Sequence, residues 1–397
     1  MMRSRRIRCY PTPDQTTVLK TWFGAVRFTY NKAVEVSRKQ GVTFDELSLK
    51  SLRKMSSNAL PEAPWLKEVP RDVRDNALRD FDKARKALFA KRRKAKAANA
   101  DARVEVSTFK FRSKRDAQQS ITINGRDWGR KRGFFRSLFG YDVLRTAEPI
   151  PEQKDKVKMD HDFRLIVDRL GHFYLCIPYE APTRSENQAP TSDAESVVAL
   201  DPGVRTFQTC YSADGEVTEW GEADMNQLFQ DCYAADRLQA RIARGATKAT
   251  RRRRRRAWHR KLERITNKVD EVHKKMAAWL CDNHRVVLIP KFETQRMVRK
   301  GANRKLHSKT ARGMCTWAHY RFRQRLLSAA ELRPWCKVIV CDEAYTSKTC
   351  GRCGELHERL GANKTFKCPK CDYVADRDIS AARNILLRFL TRKIGFP

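Results

Sequence analysis

No stretch of this chain approaches the roughly 20 consecutive apolar residues of a membrane span, so no membrane-crossing helix and no membrane partner are expected. Acid is scarce beside base: 46 Asp and Glu stand against 83 Lys and Arg in 397 residues, a formal net charge of +37. Such an excess repels itself in a compact fold, which points to a large polyanion, nucleic acid, as the partner. None of the eight histidines has ligand spacing with a partner, so none is assigned a catalytic role. A disulfide framework is missing too. Of twelve cysteines, eight are scattered: Cys9, Cys176, Cys210, Cys232, Cys281, Cys315, Cys336 and Cys341. That usage suits reduced thiols in an intracellular compartment, and the first residues do not read as a secretory leader. The length allows two or three domains with real cores.

What is present is concentrated near the C-terminus. Two CxxC knuckles, Cys350/Cys353 and Cys368/Cys371, are separated by fourteen residues. Four thiolates at this spacing meet the tetrahedral demand of one structural Zn²⁺, each knuckle closing a tight turn that supplies two sulfurs. Aspartates and an Ala-rich helix start follow directly, in DYVADRDISAARNIL. A zinc ribbon beside acidic residues in a very basic chain suggests a metal-dependent nuclease.

The first residues alternate as a strand, stop at Pro11 and Pro13, and give way at Asp14 to an amphipathic helix through about Ser37. Its aromatics Trp22, Phe23, Phe28 and Tyr30 read as core contacts. A second helix over 71–95 carries Val73, Ala77, Leu78, Phe81, Ala84 and Leu88 on one face and bases on the other. From 105 to 180 short strands are expected: STFKFR, SITING, DFRLIVDRL and HFYLCIPY. A polar, Pro-containing linker marks a domain boundary at 186–195. Beyond it, strand Val197–Leu200 runs into Asp201 and a Pro-Gly turn. Helix is expected over 222–283 with a break near Gly245, then strand RVVLIP, a helix near 312–332, strand KVIV and a final helix over 379–391. Strands alternating with helices predict an α/β domain with acidic residues at strand ends. The stripe Ile265, Val269, Val272, Met276, Ala277 and Leu280 reads as core packing.

Hydrolysing a phosphodiester requires the attacking water and the leaving oxygen both to be stabilised, which two divalent ions held by converging carboxylates achieve. Mg²⁺ takes oxygen ligands and keeps several waters, so three or four carboxylates suffice. Asp201, at the end of an apolar strand, is the best placed, although DPG is also an ordinary turn. Asp378 opens the last helix, where the plain alternative is an N-cap. Asp376 is the weaker candidate. The run Arg251, Arg252, Arg253, Arg254, Arg255 and Arg256, with His259, Arg260 and Lys261, packs nine basic side chains into eleven residues. On a helix these would form a wall gripping an RNA or RNA–DNA backbone; a nuclear-import signal is compatible.

These residues resemble TnpB, the transposon-associated RNA-guided nucleases with a RuvC-like fold, and their eukaryotic relatives, the Fanzor proteins; type V CRISPR effectors are more distant kin. RCYPTPDQ (8–15) with FGAVRFTYNKAV (23–34) looks like the family's opening strand and helix, and FKFRSKRDAQQSITI (109–123) like its internal basic strand. LDPGV (200–204) matches the first RuvC motif; TSKTCGRCG (346–354) and KCPKCDYVADRDISAARNIL (367–386) match the ribbon and third motif. In the family's third motif the aspartate stands two residues before an Asn-Ala-Ala triplet; here Asp378 keeps that place while Ser380 replaces the Asn. The position of the usual middle glutamate, after RVVLI, is held by Pro290, which cannot bind metal. Fanzor proteins with the same loss carry a Glu just upstream of the TSKTC segment, which here is Glu343; Glu293, three residues past Pro290, is the alternative. Asp342 is expected on the opposite strand face.

The resemblance implies an α/β RuvC-like (RNase H fold) nuclease domain over 196–345 and 373–397, with a zinc ribbon inserted at 346–372. It implies an N-terminal β-barrel, wedge-like, from 1–12 and 105–185, and a helical recognition insertion over 13–104. The activity implied is RNA-guided cleavage of double-stranded DNA beside a short target-adjacent motif. Two Mg²⁺ would be held by Asp201, Glu343 and Asp378, one Zn²⁺ by the four cysteines, and a guide (omega) RNA would be bound by a monomeric ribonucleoprotein. The other class of reading is a catalytically inactive RNA-guided or nonspecific DNA-binding regulator. A eukaryotic host would place the protein in the nucleus, a prokaryotic one in the cytoplasm.

Overall fold

The computed structural model describes residues 1–39, 47–58, 63–98, 109–129, 133–134, 144–150, 161–184, 196–245, 247–299, 306–342, 344–361 and 363–393. They divide into two compact units, Met2–Glu180 and Ala181–Pro397, the second also taking Met1. The linker expected at 186–195 lies outside the described residues.

In the first unit β1 (Met2–Tyr10) stops at Pro11, and Thr12 caps α1 (Pro13–Val36). The Thr12 hydroxyl accepts from the Gln15 N–H while the Gln15 side chain accepts from the Thr12 N–H, satisfying two orphan donors at once. Pro13 suits the first turn because its missing N–H would be unpaired there anyway. Then come α2 (Leu49–Asn58), α3 (Arg71–Ala98), β2 (Gln118–Ile123), a two-residue ribbon β3 (Trp128–Gly129) and β4 (Gly133–Phe134), β5 (Arg145–Thr146), β6 (Phe163–Asp168) and β7 (Phe173–Glu180). All pairings in the main sheet are antiparallel, in the order β2-β6-β7-β1-β5. Closure into the expected barrel is not among those pairings. Leu19, Trp22, Phe23 and Val26 of α1 share one core with Ile121, Leu165, Leu175 and Ile177 of the sheet, so α1 is not part of a separate helical body. Strand STFKFR is not found over Phe109–Arg112. There the side chains serve helices instead: Phe109 packs on Phe81 at 4.9 Å, and the Arg112 guanidinium lies 3.9 Å over the Tyr30 ring.

The second unit begins with β8 (Val197–Pro202), β9 (Gln208–Ser212) and β10 (Val217–Trp220). Two long helices follow, α4 (Asp224–Ala243) and α5 (Lys248–Asn283), then β11 (Val286–Pro290) and a short α6 (Thr294–Val298). The helix expected near 312–332 is two, α7 (Ser308–Trp317) and α8 (His319–Ala330), because Ala318 between them is left-handed at φ 51°. The chain ends with β12 (Lys337–Cys341), β13 (Thr365–Lys367), β14 (Val374–Asp376) and α9 (Arg377–Lys393). The five-stranded sheet runs β10-β9-β8-β11-β12, the first three antiparallel and β8, β11 and β12 parallel. Numbered within the unit this order is 3-2-1-4-5.

Side-chain alternation along the strands builds two cores. Val198, Leu200, Val287 and Ile289 face a cluster from α4, α5, α7 and α8 that includes Met225, Leu228, Trp317 and Phe322. Ile265, Val269, Met276, Ala277 and Leu280 of α5 belong to it, as their spacing predicts. Ala199 and Leu288 point the other way, onto Ile385 and Leu386 of α9.

Candidate active site and nucleic-acid surface

Asp201 lies inside β8, opposite Thr209 of β9, rather than after the strand end. Alternation puts it on the face of Val197 and Ala199, the face that α9 covers. The chain then turns sharply. Gly203 donates to the Phe207 carbonyl at 3.2 Å, and a Cβ on Gly203 would stand 2.6 Å from the Thr206 carbonyl oxygen. Only glycine fits.

At the start of α9 the capping role falls to Asp376, not Asp378. Asp376 Oδ1 accepts from the N–H of Asp378 at 2.9 Å and of Ile379 at 3.3 Å, while Oδ2 pairs with Lys364 at 3.5 Å. The Asp378 carboxylate thus has neither a hydrogen bond nor an ion pair among the described residues. Burial, and then the charge of Asp376, push its carboxyl above the usual range, against the weaker pull of Arg377, Lys364 and Arg205. α9 packs on β8 and β9, the strands on either side of the Gly203 turn. The half-buried Asp378 carboxylate, on the helix that covers the sheet face carrying Asp201, offers oxygen ligands of the kind a hard divalent ion takes.

Glu343 lies outside the described residues. Its neighbours are held: Arg388 of α9 pairs with the Asp342 carboxylate at 2.9 Å and donates to the Ala344 carbonyl. β12 ends at Cys341, so alternation does not carry Asp342 to the opposite face; its carboxylate is bound to the helix over the Asp201 face. Glu293 is exposed and ion-paired, 3.0 Å from Lys291 and 3.8 Å from Arg296. The Lys291 hydrogen bond draws its carboxyl below the ordinary range. It precedes α6, as the plain helix-start reading requires.

The four knuckle sulfurs lie within 4.8 Å of one another, with 3.8 Å between Cys350 and Cys371 and 3.6 Å between Cys353 and Cys368. A tetrahedron with metal–sulfur bonds of about 2.3 Å puts its sulfurs about 3.8 Å apart, so this group fits zinc. Backbone N–H groups of Arg352, Lys370 and Cys371 point at Cys350 and Cys368 sulfurs at 3.4 Å, favouring thiolates. The ribbon is fastened to α9 by residues the sequence pattern did not single out. Asn384 donates to the carbonyls of Thr346 and Thr349 at 2.8 and 2.7 Å, and Arg383 to that of Gly351 at 2.7 Å. A Cβ on Gly351 would meet the Arg383 guanidinium, so a larger residue there would displace that side chain from its bond to the knuckle.

Arg251, Arg252, Arg253, Arg254, Arg255 and Arg256 occupy the first turns of α5, capped by Thr247 and lacking any acidic residue. Cations at a helix N-terminus oppose its dipole, so this placement favours anionic partners. Arg252, Arg253, Arg256 and Arg260 line one shallow concavity. Arg252, Arg256 and Arg260 stand four residues apart, about 6 Å along the axis. The expected wall is therefore narrower than the run of arginines. At about 3.6 residues per turn, six consecutive side chains point all round a helix. Arg251 and Arg255 are exposed but fall outside the concavity. Two further members of the expected wall are engaged otherwise. Lys261 forms an ion pair with buried Asp231 at 2.9 Å, joined by Lys268 at 2.8 Å, tying α5 to α4. Arg254 donates to the Arg241 carbonyl at 2.6 Å. Among the histidines, His273 and His319 stack on Phe207 inside the core, and burial lowers them to about 4 and about 3, so both are neutral.

Comparison with known proteins adds three family matches. A model described as "Cas12f1-like, TNB domain" matches residues 319–385, "Probable transposase" (OrfB_IS605) matches 177–301, and "Helix-turn-helix domain" (HTH_OrfB_IS605) matches 1–40. Among similar proteins is "Putative transposase A625R" of Paramecium bursaria Chlorella virus 1, 28% identical over all of this chain and 88% of the relative. TnpB-like protein L79 of Acanthamoeba polyphaga mimivirus is 26% identical over 96% of this chain and 72% of its own. "Putative RNA-guided DNA endonuclease InsQ" of Escherichia coli is 24% identical over 97% of this chain and 92% of its own.

Proposed function

We propose, from the matches of this chain to the IS605 transposase and Cas12f1-like TNB family models, that it is an RNA-guided DNA endonuclease of the TnpB kind with a Fanzor-like arrangement of acidic residues. The observation that carries the reading is Asp378: a half-buried carboxylate with no compensating partner among the described residues, on the helix that covers the Asp201 face. In this reading Asp201, Glu343 and Asp378 hold magnesium, and the grip of Arg388 on residues 342 and 344 supports Glu343 as the middle ligand. Bound magnesium supplies charge stabilisation for the attacking and leaving oxygens of the phosphodiester. Asp201 is oriented by strand pairing, and Asp376 keeps the capping N–H groups occupied so that the Asp378 carboxylate stays available. The four cysteines hold one zinc that shapes the ribbon. A guide RNA lies on the exposed arginines of α5 and selects double-stranded DNA by base pairing, while the first unit reads a short flanking motif. The complex works as a monomeric ribonucleoprotein, nuclear in a eukaryotic host.

An inactive, RNA-guided or nonspecific DNA-binding regulator is the second reading, favoured by Pro290 at the usual glutamate position. One assay separates them. The chain is purified with its co-expressed RNA, the RNA is sequenced, and matched DNA is added with Mg²⁺. Cleavage is expected. Glu343→Ala should abolish cutting and keep target binding, whereas Glu293→Ala should cut as wild type does; the reverse pattern would move the middle ligand to Glu293, and an inert wild type would favour the regulator.

Salt dependence tests the arginine surface. Each phosphate contact adds about 0.7 to 0.9 to the slope of log affinity against log salt. Removing Arg252, Arg256 and Arg260 together should therefore lower the RNA-binding slope by about 2–3. Lys261→Ala should leave it unchanged and cost stability instead, because Asp231 would lose one of its two partners. A slope insensitive to the arginines would move the RNA elsewhere.

A further inference from the structure

We propose that Tyr320, with Arg323 beside it, is a stacking platform for an unpaired base of a nucleic-acid strand crossing the end of β8, on the sheet face opposite Asp201; this rests on the proposed function, a nuclease that handles nucleic acid. After the left-handed corner at Ala318, the first residues of α8 border a cavity at the ends of β8 and β11. Tyr320 and Arg323 line a small cavity with Pro202, the residue after Asp201, and with Pro290 and Lys291. Tyr320 is 62% exposed, yet its base is rigid: His319 before it and Phe322 after it are buried, and Phe292 packs edge-on against His319 at 4.8 Å.

The cation beside the ring distinguishes this spot from an ordinary exposed tyrosine. Arg321 and Arg325 of the same helix are both spent on Asp270, at 2.8 and 2.9 Å. Arg323 has no carboxylate partner among the described residues; it donates to the Lys291 carbonyl and lies 5.2 Å from the Tyr320 ring centre. Its hydrogen bond holds the turn where Phe292 adopts φ +29°, a strained value for a non-glycine residue. Strain, an exposed ring and a guanidinium whose nearby acid, Glu293, is already paired with Lys291 and Arg296 thus converge at the end of β8, around Pro202. A ring against a guanidinium suits a base stacked above a phosphate, and stacking tolerates any sequence because every base presents a π-face.

The test uses the full-length chain without added magnesium and a short single-stranded DNA carrying 5-iodouracil, which on irradiation joins to an aromatic ring stacked on it. Mass spectrometry is expected to find the adduct on Tyr320. Tyr320→Ala should lose that adduct and bind the oligonucleotide about tenfold more weakly at salt high enough to screen charge contacts. Tyr320→Phe should keep both properties. Circular dichroism of Tyr320→Ala should match wild type, since the ring is mostly exposed. Adducts only at other residues, or unchanged high-salt affinity in Tyr320→Ala, would overturn the platform. Cleavage of guide-matched DNA is scored separately: a cutting wild type without the Tyr320 adduct sinks the platform alone, and an adduct without cutting sinks the nuclease reading alone.

Discussion

Asp378→Asn is expected to abolish DNA cutting while making the metal-free protein more heat-stable at neutral pH. The two effects have one cause. Burial and the neighbouring Asp376 charge raise the folded-state pKa of Asp378, so its ionisation costs folding free energy. The sign follows from proton counting. Between the unfolded value, near 3.9, and the raised folded value, the folded state binds more protons than the unfolded one. Stability of the free protein from this group therefore grows as pH falls through that window, and is lowest above it. Asparagine removes the penalty along with the charge. Magnesium acts oppositely: it binds the ionised form, so at a hundredfold excess over Kd it should raise the wild-type Tm by about 5–10 °C, and Asp378→Asn should lose most of that rise. Loss of a ligand that holds charge-stabilising metal removes several kcal/mol from the transition state, so cutting should fall at least about a hundredfold. Because magnesium competes with the proton, the acid limb of wild-type cleavage should move to lower pH as magnesium is raised. Differential scanning fluorimetry across pH, with and without magnesium, checks the stability effects, and a cleavage assay over the same pH range checks the rest. An Asp378→Asn protein less stable than wild type, or still stabilised by magnesium, would remove Asp378 from the metal site.

Which features the sequence disclosed depends on how local their causes are. Thr12, Pro13 and Gln15 specify the start of α1 within four residues, and its span came out nearly as periodicity predicts. The α5 stripe is equally local. Cys350, Cys353, Cys368 and Cys371 are legible because metal geometry fixes their spacing. What escaped depends on partners far along the chain. Nothing around Ala318 announces a left-handed corner that glycine would ordinarily supply, so one helix was expected where two exist. Lys261 looked like a member of the arginine wall, but its partner Asp231 stands thirty residues earlier on another helix. Phe109–Arg112 alternates like a strand, yet Phe81 and Tyr30 claim its side chains. At the candidate site, Asp376 took the capping role expected of Asp378 because the helix begins two residues earlier than its apolar pattern suggests. Arg388 and Asn384 were invisible for the same reason: their targets are backbone carbonyls some forty residues away.

Removing zinc should unfold the ribbon and, through it, disable the catalytic corner while leaving the five-stranded sheet folded. Among the described residues the ribbon's own core is Cys350, Leu360 and Phe366 with partly buried Cys368, Cys371 and Tyr373, and its two strands have three residues each. So small an apolar cluster cannot offset the ordering of some thirty residues. Four thiolates within 4.8 Å would repel one another without a cation. Metal binding, worth about 10–16 kcal/mol in zinc-finger peptides, supplies the difference. The damage reaches the active site by a short route: β14 ends at Asp376, which caps α9 and sets the direction of Asp378. Asn384 and Arg383 fasten the first knuckle to the same helix but cannot replace the metal, since they touch only residues 346–351. Cys371→Ser, or treatment with a zinc-selective chelator, is therefore expected to give protease cuts within 351–372, loss of DNA cleavage, and retained amide protection in β8 and β11. Elemental analysis should find one zinc per wild-type chain. A chain purified without zinc that resists protease across 351–372 and still cuts would show that the knuckles hold their shape unaided, and the dependence of Asp378 on the ribbon would fall with it.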